Sequence, residues 1–248
     1  MSVLAQAGPT VATPAGTHLN HLLDGWPGRE LEALGKHLQP VRLRLGEAVY
    51  EPGSRLPFAL FPTTAIVSLH YVTQTGASVE TASVGNEGMV GLALFMGGDT
   101  TASSARVLVA GEALRLPATH LREAFDRSDP LRRLLLRYAQ MLITQIAQQG
   151  VCNRHHAIEQ QFCRWMLGTL DRAPSQDLVI TQELVAHTLG VRRESITEAA
   201  VRLQQAGVIR YRRGHISVLD RAGLEQRSCE CYGVVRNEQA RLMAAARG

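Results

Sequence analysis

The sequence predicts an α+β protein with an N-terminal antiparallel β-roll of the double-stranded β-helix type, a long helix and a C-terminal winged helix-turn-helix. Three observations support this prediction. Short apolar runs separated by turn residues occupy residues 41–116, which is typical of a small antiparallel roll. Apolar residues then recur every three or four positions over 131–146, as in an amphipathic helix. Beyond residue 181, two short helical patterns joined by a glycine precede a basic hairpin pattern.

The overall composition is typical of a folded globular protein. Of the 248 residues, 45% are hydrophobic and 19% are charged. No apolar run approaches the ~20 residues of a membrane span, and the N-terminus lacks a basic start followed by an apolar stretch. We therefore expect a cytoplasmic protein with no membrane partner. The predicted segments are a flexible tail (1–25), the β-roll (26–127), the long helix (128–152) and the winged helix-turn-helix with a C-terminal helix (153–248).

The charge of the chain is unevenly distributed. The formal net charge is +4. Residues 1–153 contain twelve basic and twelve acidic side chains, whereas residues 154–248 contain fourteen basic and ten acidic ones. The whole excess therefore lies in the C-terminal segment, and such an asymmetry is one mark of a module that binds a polyanion.

The long helix is expected to begin at Asp129 and Pro130, because Pro is favoured in the first turn and an acidic residue suits the helix N-terminus. Its apolar stripe fits packing on the chain's own roll. Apolar residues beyond one narrow face favour a partner helix in addition, and we expect a homodimer. The residues expected at the dimer interface are Leu131, Leu134, Leu135, Tyr138, Met141, Leu142 and Gln145.

The helix-turn-helix pattern begins at Thr181, which stands where an N-cap belongs. Gly190 ends the first helix, and a second helix is predicted over 192–205 with its apolar residues on one face. Two strand patterns in 208–219 then form the wing, which is rich in arginine. The polar face of the second helix suits a DNA major groove, although a helix-turn-helix with a hairpin also occurs as a protein-interaction module.

The stretch from Thr181 to Thr197 resembles the DNA-binding signature of the Crp/Fnr family of bacterial regulators, and the resemblance covers roughly residues 30–225. It implies a transcription regulator, not an enzyme, that binds palindromic double-stranded DNA as a homodimer. RNA polymerase is a further expected partner if the protein is an activator. The residues expected to contact DNA are Thr181, Arg192, Arg193, Glu194, Thr197, Glu198, Arg202, Arg212 and Arg213.

Within that set, the resemblance assigns base reading to Arg193 and Glu194, and Arg192, Arg202 and the wing arginines are expected to hold phosphates. Cyclic-AMP-binding members carry an arginine where this chain has Glu198. A carboxylate accepts from cytosine instead of donating to guanine, so we expect a different preferred DNA sequence.

The roll departs from the family's cyclic-nucleotide binders. Met89 and Ser103 stand where those proteins place the glutamate for the ribose and the arginine for the cyclic phosphate. No cofactor is evident, and cyclic AMP is not the expected effector. The open alternatives are an unidentified small molecule, a cyclic dinucleotide, or a constitutive regulator with an empty roll. The predicted effector-pocket residues are Gly88, Met89, Gly91, Leu92, Ser103 and Ser104.

Metal or redox chemistry is not expected from the sequence. The spacing of the four cysteines, Cys152, Cys163, Cys229 and Cys231, matches no familiar zinc pattern, and we expect reduced thiols. No cysteine precedes Cys152, which argues against the N-terminal iron–sulfur cluster of oxygen-sensing relatives. His155 and His156 are interpreted as junction residues. Scattered histidines offer weak haem candidates (His37, His70, His120), and a remote cupin-like metal enzyme would need His70, Glu80 and Glu87.

Overall fold

The computed structural model describes residues 20–173, 177–212 and 214–244, and it confirms the predicted fold class. The strands are β1 (Gln39–Leu43), β2 (Ala48–Tyr50), β3 (Phe58–Pro62), β4 (Ile66–Val72), β5 (Ser78–Val84), β6 (Ser104–Val109), β7 (Gly111–Pro117), β8 (Asp177–Val179), β9 (Ile209–Arg212) and β10 (His215–Val218). The helices are α1 (His21–Asp24), α2 (Gly28–Gly35), α3 (Ala118–Arg127), α4 (Asp129–His155), α5 (Ile158–Leu170), α6 (Gln182–Leu189), α7 (Arg193–Gln205), α8 (Arg221–Arg227) and α9 (Cys231–Ala244). Among these described helices, none has the length and apolarity required to span a membrane.

The roll consists of two antiparallel sheets that face each other. One has the strand order β1-β7-β3 and the other β2-β6-β4-β5. Strands β3 and β4 are buried along most of their length, and Phe61, Ile66 and Leu116 are fully buried. Phe61 and Leu116 pack with residues of α4, whereas Ile66 packs with residues of the C-terminal segment. At Gly111, where β7 begins, a Cβ atom would lie 2.6 Å from the backbone nitrogen of Ala65. Only glycine therefore allows the start of β7 to approach the backbone of Thr64 and Ala65 this closely.

The predicted flexible tail is wrong for residues 20–25, whereas its first nineteen residues lie outside the described part. Asn20 is buried and caps α1, accepting from the backbone nitrogens of Leu22 and Leu23. Its amide also donates to the carbonyls of Pro62 (2.8 Å) and Gly88 (2.9 Å). These bonds fix the chain on the roll, and the burial of both leucines holds α1 in place.

Helix α4 begins after Ser128, whose hydroxyl accepts from the backbone nitrogen of Leu131, with Pro130 in the first turn. One side of α4 lies on the roll. There the Tyr138 hydroxyl donates to the carbonyl of Met89 at 2.6 Å, and a Cβ on Gly88 would lie 2.3 Å from the Tyr138 ring. This close approach requires glycine at position 88.

The residues predicted at the dimer interface do not form an exposed face. Leu131, Leu134, Leu135, Tyr138, Met141, Leu142 and Gln145 are only 0–9% exposed within the single chain. They complete the core of the roll, so the face chosen from the sequence is wrong. The exposed large apolar side chains of α4 are instead Leu136, Ile143, Ile146 and Val151.

The winged helix-turn-helix surrounds a second core. Its sheet has the order β8-β10-β9, and α5 packs against both α7 and α8 beside it. Trp165, Met166, Leu203 and Ile216 are buried together in this core. The apolar face that the sequence predicts for the second helix of the helix-turn-helix is the face of α7 that is buried here.

The C-terminal helix α9 does not remain with the winged helix alone. It packs along α4 and also touches α5. Leu242 near its end is buried in the cluster that contains Leu22 and Trp26 of the roll side. The predicted assignment of this helix to the DNA-binding segment is therefore corrected, because α9 joins the winged helix back to the long helix.

The roll also contacts the winged helix directly. Arg172, just after α5, donates to the Glu87 carboxylate (2.8 Å) and to the Ser83 hydroxyl (3.1 Å). Nearby, Glu80 is buried on β5 and accepts a hydrogen bond from the Ser68 hydroxyl. Burial raises the pKa of Glu80 to about 7, against the partial opposition of the Ser68 hydrogen bond and the charges of Arg164 and Arg172.

The raised pKa of Glu80 predicts that the stability of the folded protein depends on pH. The folded protein holds this proton more tightly than the unfolded chain, whose carboxyl titrates near 4.5. Stability is therefore lost as pH rises from about 4.5 through about 7. We expect Glu80→Gln to gain roughly 2–3 kcal/mol relative to wild type between pH 5 and pH 8, from ~1.4 kcal/mol per pKa unit. Urea denaturation at both pH values measures this gain.

The matched control is Glu112→Gln, since the Glu112 side chain is 56% exposed on the same roll. The control makes the same carboxylate-to-amide change at an exposed position, so it separates the effect of the substitution itself from the effect of burial. An equal stability difference for Glu80→Gln at pH 5 and pH 8 would show that Glu80 is not a buried carboxyl of this kind.

Candidate nucleic-acid interface and roll cavity

The helix-turn-helix consists of α6, a three-residue turn and α7. The Thr181 hydroxyl accepts from the backbone nitrogen of Leu184 and caps α6, as the sequence predicts. Gly190 ends α6 with a φ of +67°, in the left-handed region that glycine adopts without strain. In α7, Ile196, Ala199 and Leu203 are fully buried. The burial of this face orients the opposite face of α7 outward.

The outward face of α7 carries most of the residues predicted to contact DNA. Arg192, Arg193, Glu194 and Glu198 are all exposed. Val201, on the same side, is 47% exposed. No element of the described chain covers this surface, so it is available to a partner. An α-helix with such a face has the dimensions of a major groove about 12 Å wide.

Some of these side chains already have partners in the protein. Arg193 lies 3.9 Å from Glu183, and both side chains are more than 60% exposed. Such an exposed pair contributes little and breaks readily when a stronger partner arrives. Arg202 donates to Glu159 at 2.6 Å, so a phosphate at Arg202 would compete with that carboxylate. Thr197 is half-buried and donates to Gln182, which restricts its access to a base.

The wing follows α7 and presents two more cations. Arg210 and Arg212 on β9 are exposed. Gly214, at the tip of the hairpin, has a φ of +84° and lies beside the start of α6, since a Cβ there would be 3.6 Å from the Thr181 methyl group. The predicted contact Arg213 lies outside the described residues. The arginines of β9 therefore stand next to the helix-turn-helix, as phosphate contacts require.

The roll carries an open cavity of about 370 Å³ between β2, β4, β5, the 89–103 segment and α4. Four of the predicted effector-pocket residues line it, namely Met89, Gly91, Leu92 and Ser103. Gly88 and Ser104 do not, because Gly88 packs against Tyr138 and Ser104 lies in β6 away from the space. The sequence did not indicate Tyr50, Thr101, Leu142 or Ile146, which also line the cavity.

The chemistry of this cavity is hydroxyl-rich and uncharged. The hydroxyls of Tyr50 and Ser103 lie 3.2 Å apart, and those of Thr101 and Ser103 lie 3.0 Å apart. Burial raises the pKa of the Tyr50 phenol, which keeps it a neutral donor. Arg106 instead pairs with Glu51 at the surface (2.7 Å). Among the described lining residues there is no cation to neutralise a phosphate.

Of the three histidines considered as haem candidates, two lie together near the surface and the third lies on β4. The His37 and His120 rings stack with centroids 3.8 Å apart near the surface. His70 is buried on β4, and burial lowers its pKa to about 4. Within the described residues, Glu87 pairs with Arg172 and Glu80 with Ser68, so the ligand set needed by the remote cupin-like alternative is not assembled.

The cysteines have an arrangement that the sequence did not predict. The structure brings Cys152, Cys229 and Cys231 together with His156, with one ligand atom from each within 4.8 Å of the others. All three are free thiols, and the fourth cysteine, Cys163, lies apart in the winged-helix core. The spacing could not reveal the cluster, since Cys152 and Cys229 are separated by 77 positions.

Comparison with known proteins supports the fold and the helix-turn-helix. Residues 160–227 match the family model of a Crp-like helix-turn-helix domain. Among solved structures, a protein of Eubacterium rectale assigned to the Crp/Fnr family of transcriptional regulators is similar with a TM-score of 0.67 and 15% identity, covering 85% of this chain and 99% of that one. FixK2 from Bradyrhizobium japonicum gives 0.65 and 15%, covering 77% and 98%.

A third similar structure is the c-di-GMP-responsive global regulator CLP of Xanthomonas campestris, with a TM-score of 0.61 and 16% identity over 77% of this chain and 99% of that one. No curated protein sequence matches the chain. At such identities the structural likeness speaks for the fold alone. Together with the domain match, it confirms the resemblance predicted from residues 181–197: the chain has the fold of Crp/Fnr-type transcription regulators and a Crp-like helix-turn-helix.

The turn between α6 and α7 makes a testable prediction. An alanine at position 190 would be held at a φ of +67°, with its Cβ 3.2 Å from a methyl group of Val79. We expect Gly190→Ala to lower the free energy of unfolding by about 1–2 kcal/mol. Gly168→Ala is the matched control. It lies inside α5, where a Cβ meets only the Arg172 guanidinium at 3.7 Å, and it should stabilise by about 0.5–1 kcal/mol.

Urea denaturation of the three proteins measures both effects. Two changes of the same sign would contradict the left-handed conformation assigned to Gly190.

Proposed function

We propose that this chain, with its Crp-like helix-turn-helix and the fold of Crp/Fnr regulators, binds palindromic double-stranded DNA as a homodimer and regulates transcription. The observation that carries the proposal is the outward face of α7. It places Arg192, Arg193, Glu194 and Glu198 on an exposed surface while the apolar face of the same helix is buried. A helix anchored in this way can enter a major groove without rearranging its own core.

The division of labour follows from the chemistry of each side chain. An arginine donates two hydrogen bonds to guanine, and a glutamate accepts from the amino group of cytosine. Arg193, Glu194 and Glu198 are therefore assigned to base edges. Arg192 and the β9 arginines, Arg210 and Arg212, are assigned to phosphates. RNA polymerase remains the expected further partner if the protein activates transcription.

The exposed stripe of α4 supports dimerisation through a second copy. Leu136 and Ile143 are separated by seven residues, and each is half exposed. Ile146 and Val151 extend the stripe toward the C-terminus of the helix. A seven-residue repeat of apolar side chains is typical of a helix that pairs with a copy of itself. Pairing α4 with its copy would hold the two α7 helices of the dimer about one turn of DNA apart.

The roll cavity supports a ligand other than cyclic AMP. A partly open space of about 370 Å³ lined by hydroxyls and apolar groups suits a small uncharged molecule. Because its described lining offers no cation, a phosphate there would remain unpaired. The alternative of a cyclic dinucleotide, suggested by the similarity to the c-di-GMP-responsive CLP, would require a different surface of this chain.

The DNA assignment is tested with Arg193→Glu. Selection of bound genomic fragments, with and without cell extract, first defines the preferred site. We then expect Arg193→Glu to weaken binding to that site by at least tenfold, because a base contact worth about 1–3 kcal/mol becomes a repulsion. Fluorescence anisotropy measures the affinity at several salt concentrations, since phosphate contacts make it fall with salt.

The control for this experiment is Arg55→Glu, which makes the same charge change at a roll side chain that is 87% exposed. It should bind as wild type does. Equal affinity for wild type and Arg193→Glu, with both proteins folded, would rule out the proposed role of α7.

The proposed dimer is tested separately with Ile143→Glu. A charge at this half-exposed position would be buried between two copies of α4, so we expect the variant to be a monomer. Sedimentation equilibrium measures the mass. Leu45→Glu is the control, because Leu45 is equally exposed but lies on the roll. If the Ile143→Glu protein is still a dimer, the interface does not include this stripe.

A further inference from the structure

Three cysteines and one histidine converge where the long helix meets the C-terminal segment. The Cys152 and Cys229 sulfurs lie 3.5 Å apart, and the Cys231 sulfur lies 3.5 Å from Nδ1 of His156. The three cysteines are 0–3% exposed, and the His156 side chain is 13% exposed. Four ligand atoms of the kinds that zinc prefers therefore surround one point below the protein surface.

The four residues come from two segments of the chain, and each segment provides two of them. Cys152 lies in the last turn of α4, and His156 follows it by four residues at the helix C-cap. Residues four apart project to the same side of a helix end. Cys229 follows α8 and Cys231 opens α9, so both lie at a non-helical junction where alternate residues can face one centre. The pairs meet because α9 packs back along α4.

Two of the separations between these atoms match a tetrahedral metal site. Zinc bonds of about 2.3 Å to sulfur and about 2.0–2.1 Å to nitrogen place two sulfurs about 3.8 Å apart and a sulfur and a nitrogen about 3.6 Å apart. The Cys152–Cys229 sulfur separation and the separation of the Cys231 sulfur from Nδ1 of His156 are both 3.5 Å, and all four atoms lie within 4.8 Å of one another. A disulfide would require sulfurs about 2.05 Å apart and would use neither the third thiol nor the imidazole.

The surroundings supply the support that metal ligands normally have. Nε2 of His156 lies 3.2 Å from the Glu230 carboxylate, which leaves Nδ1 directed at the cluster. This carboxylate–histidine arrangement is the usual second contact of a zinc-bound imidazole. The Gln148 amide donates to the Cys231 sulfur at 3.0 Å. The nearby Arg164 guanidinium interacts with Cys152, and it would offset part of the charge of three thiolates.

We propose that Cys152, His156, Cys229 and Cys231 bind one zinc ion in a structural site. Four protein ligands leave no open position for a water or substrate, which distinguishes such a site from a catalytic one. The ion would join the end of α4 to the start of α9, and with it fix the winged helix relative to the long helix. The site is independent of the DNA face on α7.

The test begins with the zinc content of the full-length wild-type protein. Protein purified under reducing conditions, supplied with zinc and dialysed is expected to retain one zinc ion per chain by plasma mass spectrometry. Replacement of zinc with cobalt(II) is expected to give the strong thiolate charge-transfer absorption and visible bands of a tetrahedral sulfur-rich site. Both readouts are independent of DNA binding, so they stand or fall separately from the proposed regulator function.

Matched variants distinguish ligands from neighbours. Cys229→Ser and His156→Asn are expected to lose the bound zinc, whereas Cys163→Ala and His155→Asn are expected to retain it. Cys163 lies outside the cluster, and His155 is the exposed neighbour of His156. Glu230→Gln should lower zinc affinity by about 10–100-fold, measured by competition with a chromogenic chelator. If Cys229→Ser does not fold, His156→Asn and the wild-type cobalt spectrum still decide the question.

Three results would overturn the proposal. The first is wild-type protein that retains no zinc after reconstitution. The second is equal zinc loss in Cys163→Ala or His155→Asn, which would show that general unfolding releases the metal. The third is a Cys152–Cys229 disulfide, found by peptide mass spectrometry, that persists under the reducing conditions in which zinc is supplied.

Discussion

The burial of one side of α4 against the roll is the constraint on which the rest of this structure depends. Tyr138 anchors the contact through the carbonyl of Met89, and Gly88 leaves the space for its ring. With that side fixed, the stripe that includes Leu136 and Ile143 must face outward. The same rotation of the helix presents a flank to α9 and carries Cys152 to the C-terminal segment.

Sequence patterns predicted the local elements well because their causes are local. Thr181 and Gly190 set the start and the end of α6, and the apolar spacing of α7 determines which face of α7 is buried. The structure has the predicted face of α7 outward. The N-terminal residues show the opposite case. Asn20 is ordered by the carbonyls of Pro62 and Gly88, which are 42 and 68 positions away, and no local pattern reports such partners.

Neither the orientation of α4 nor the cysteine cluster could be deduced from the sequence, because both depend on contacts between distant parts of the chain. Helix α4 has apolar residues on more than one side, and periodicity cannot tell which side meets the chain's own roll and which remains exposed. The cluster depends on α9 returning along α4, which is a tertiary event. A Cys-x-Cys pair has two ligands, and only the fold brings the third cysteine and the histidine to it.

Ile146 lies between the roll cavity and the exposed stripe of α4. Its side chain lines the roll cavity and is also 38% exposed on the outer stripe of α4. Leu142, one turn earlier, lines the same cavity but is buried. A ligand in the cavity would therefore touch the helix that a second copy would cover. Such a ligand would promote DNA binding only to the extent that it binds more tightly to the dimer that binds DNA than to other states of the protein. A shared side chain gives such a difference a physical origin, because repacking Ile146 around a ligand alters the surface offered to the partner helix.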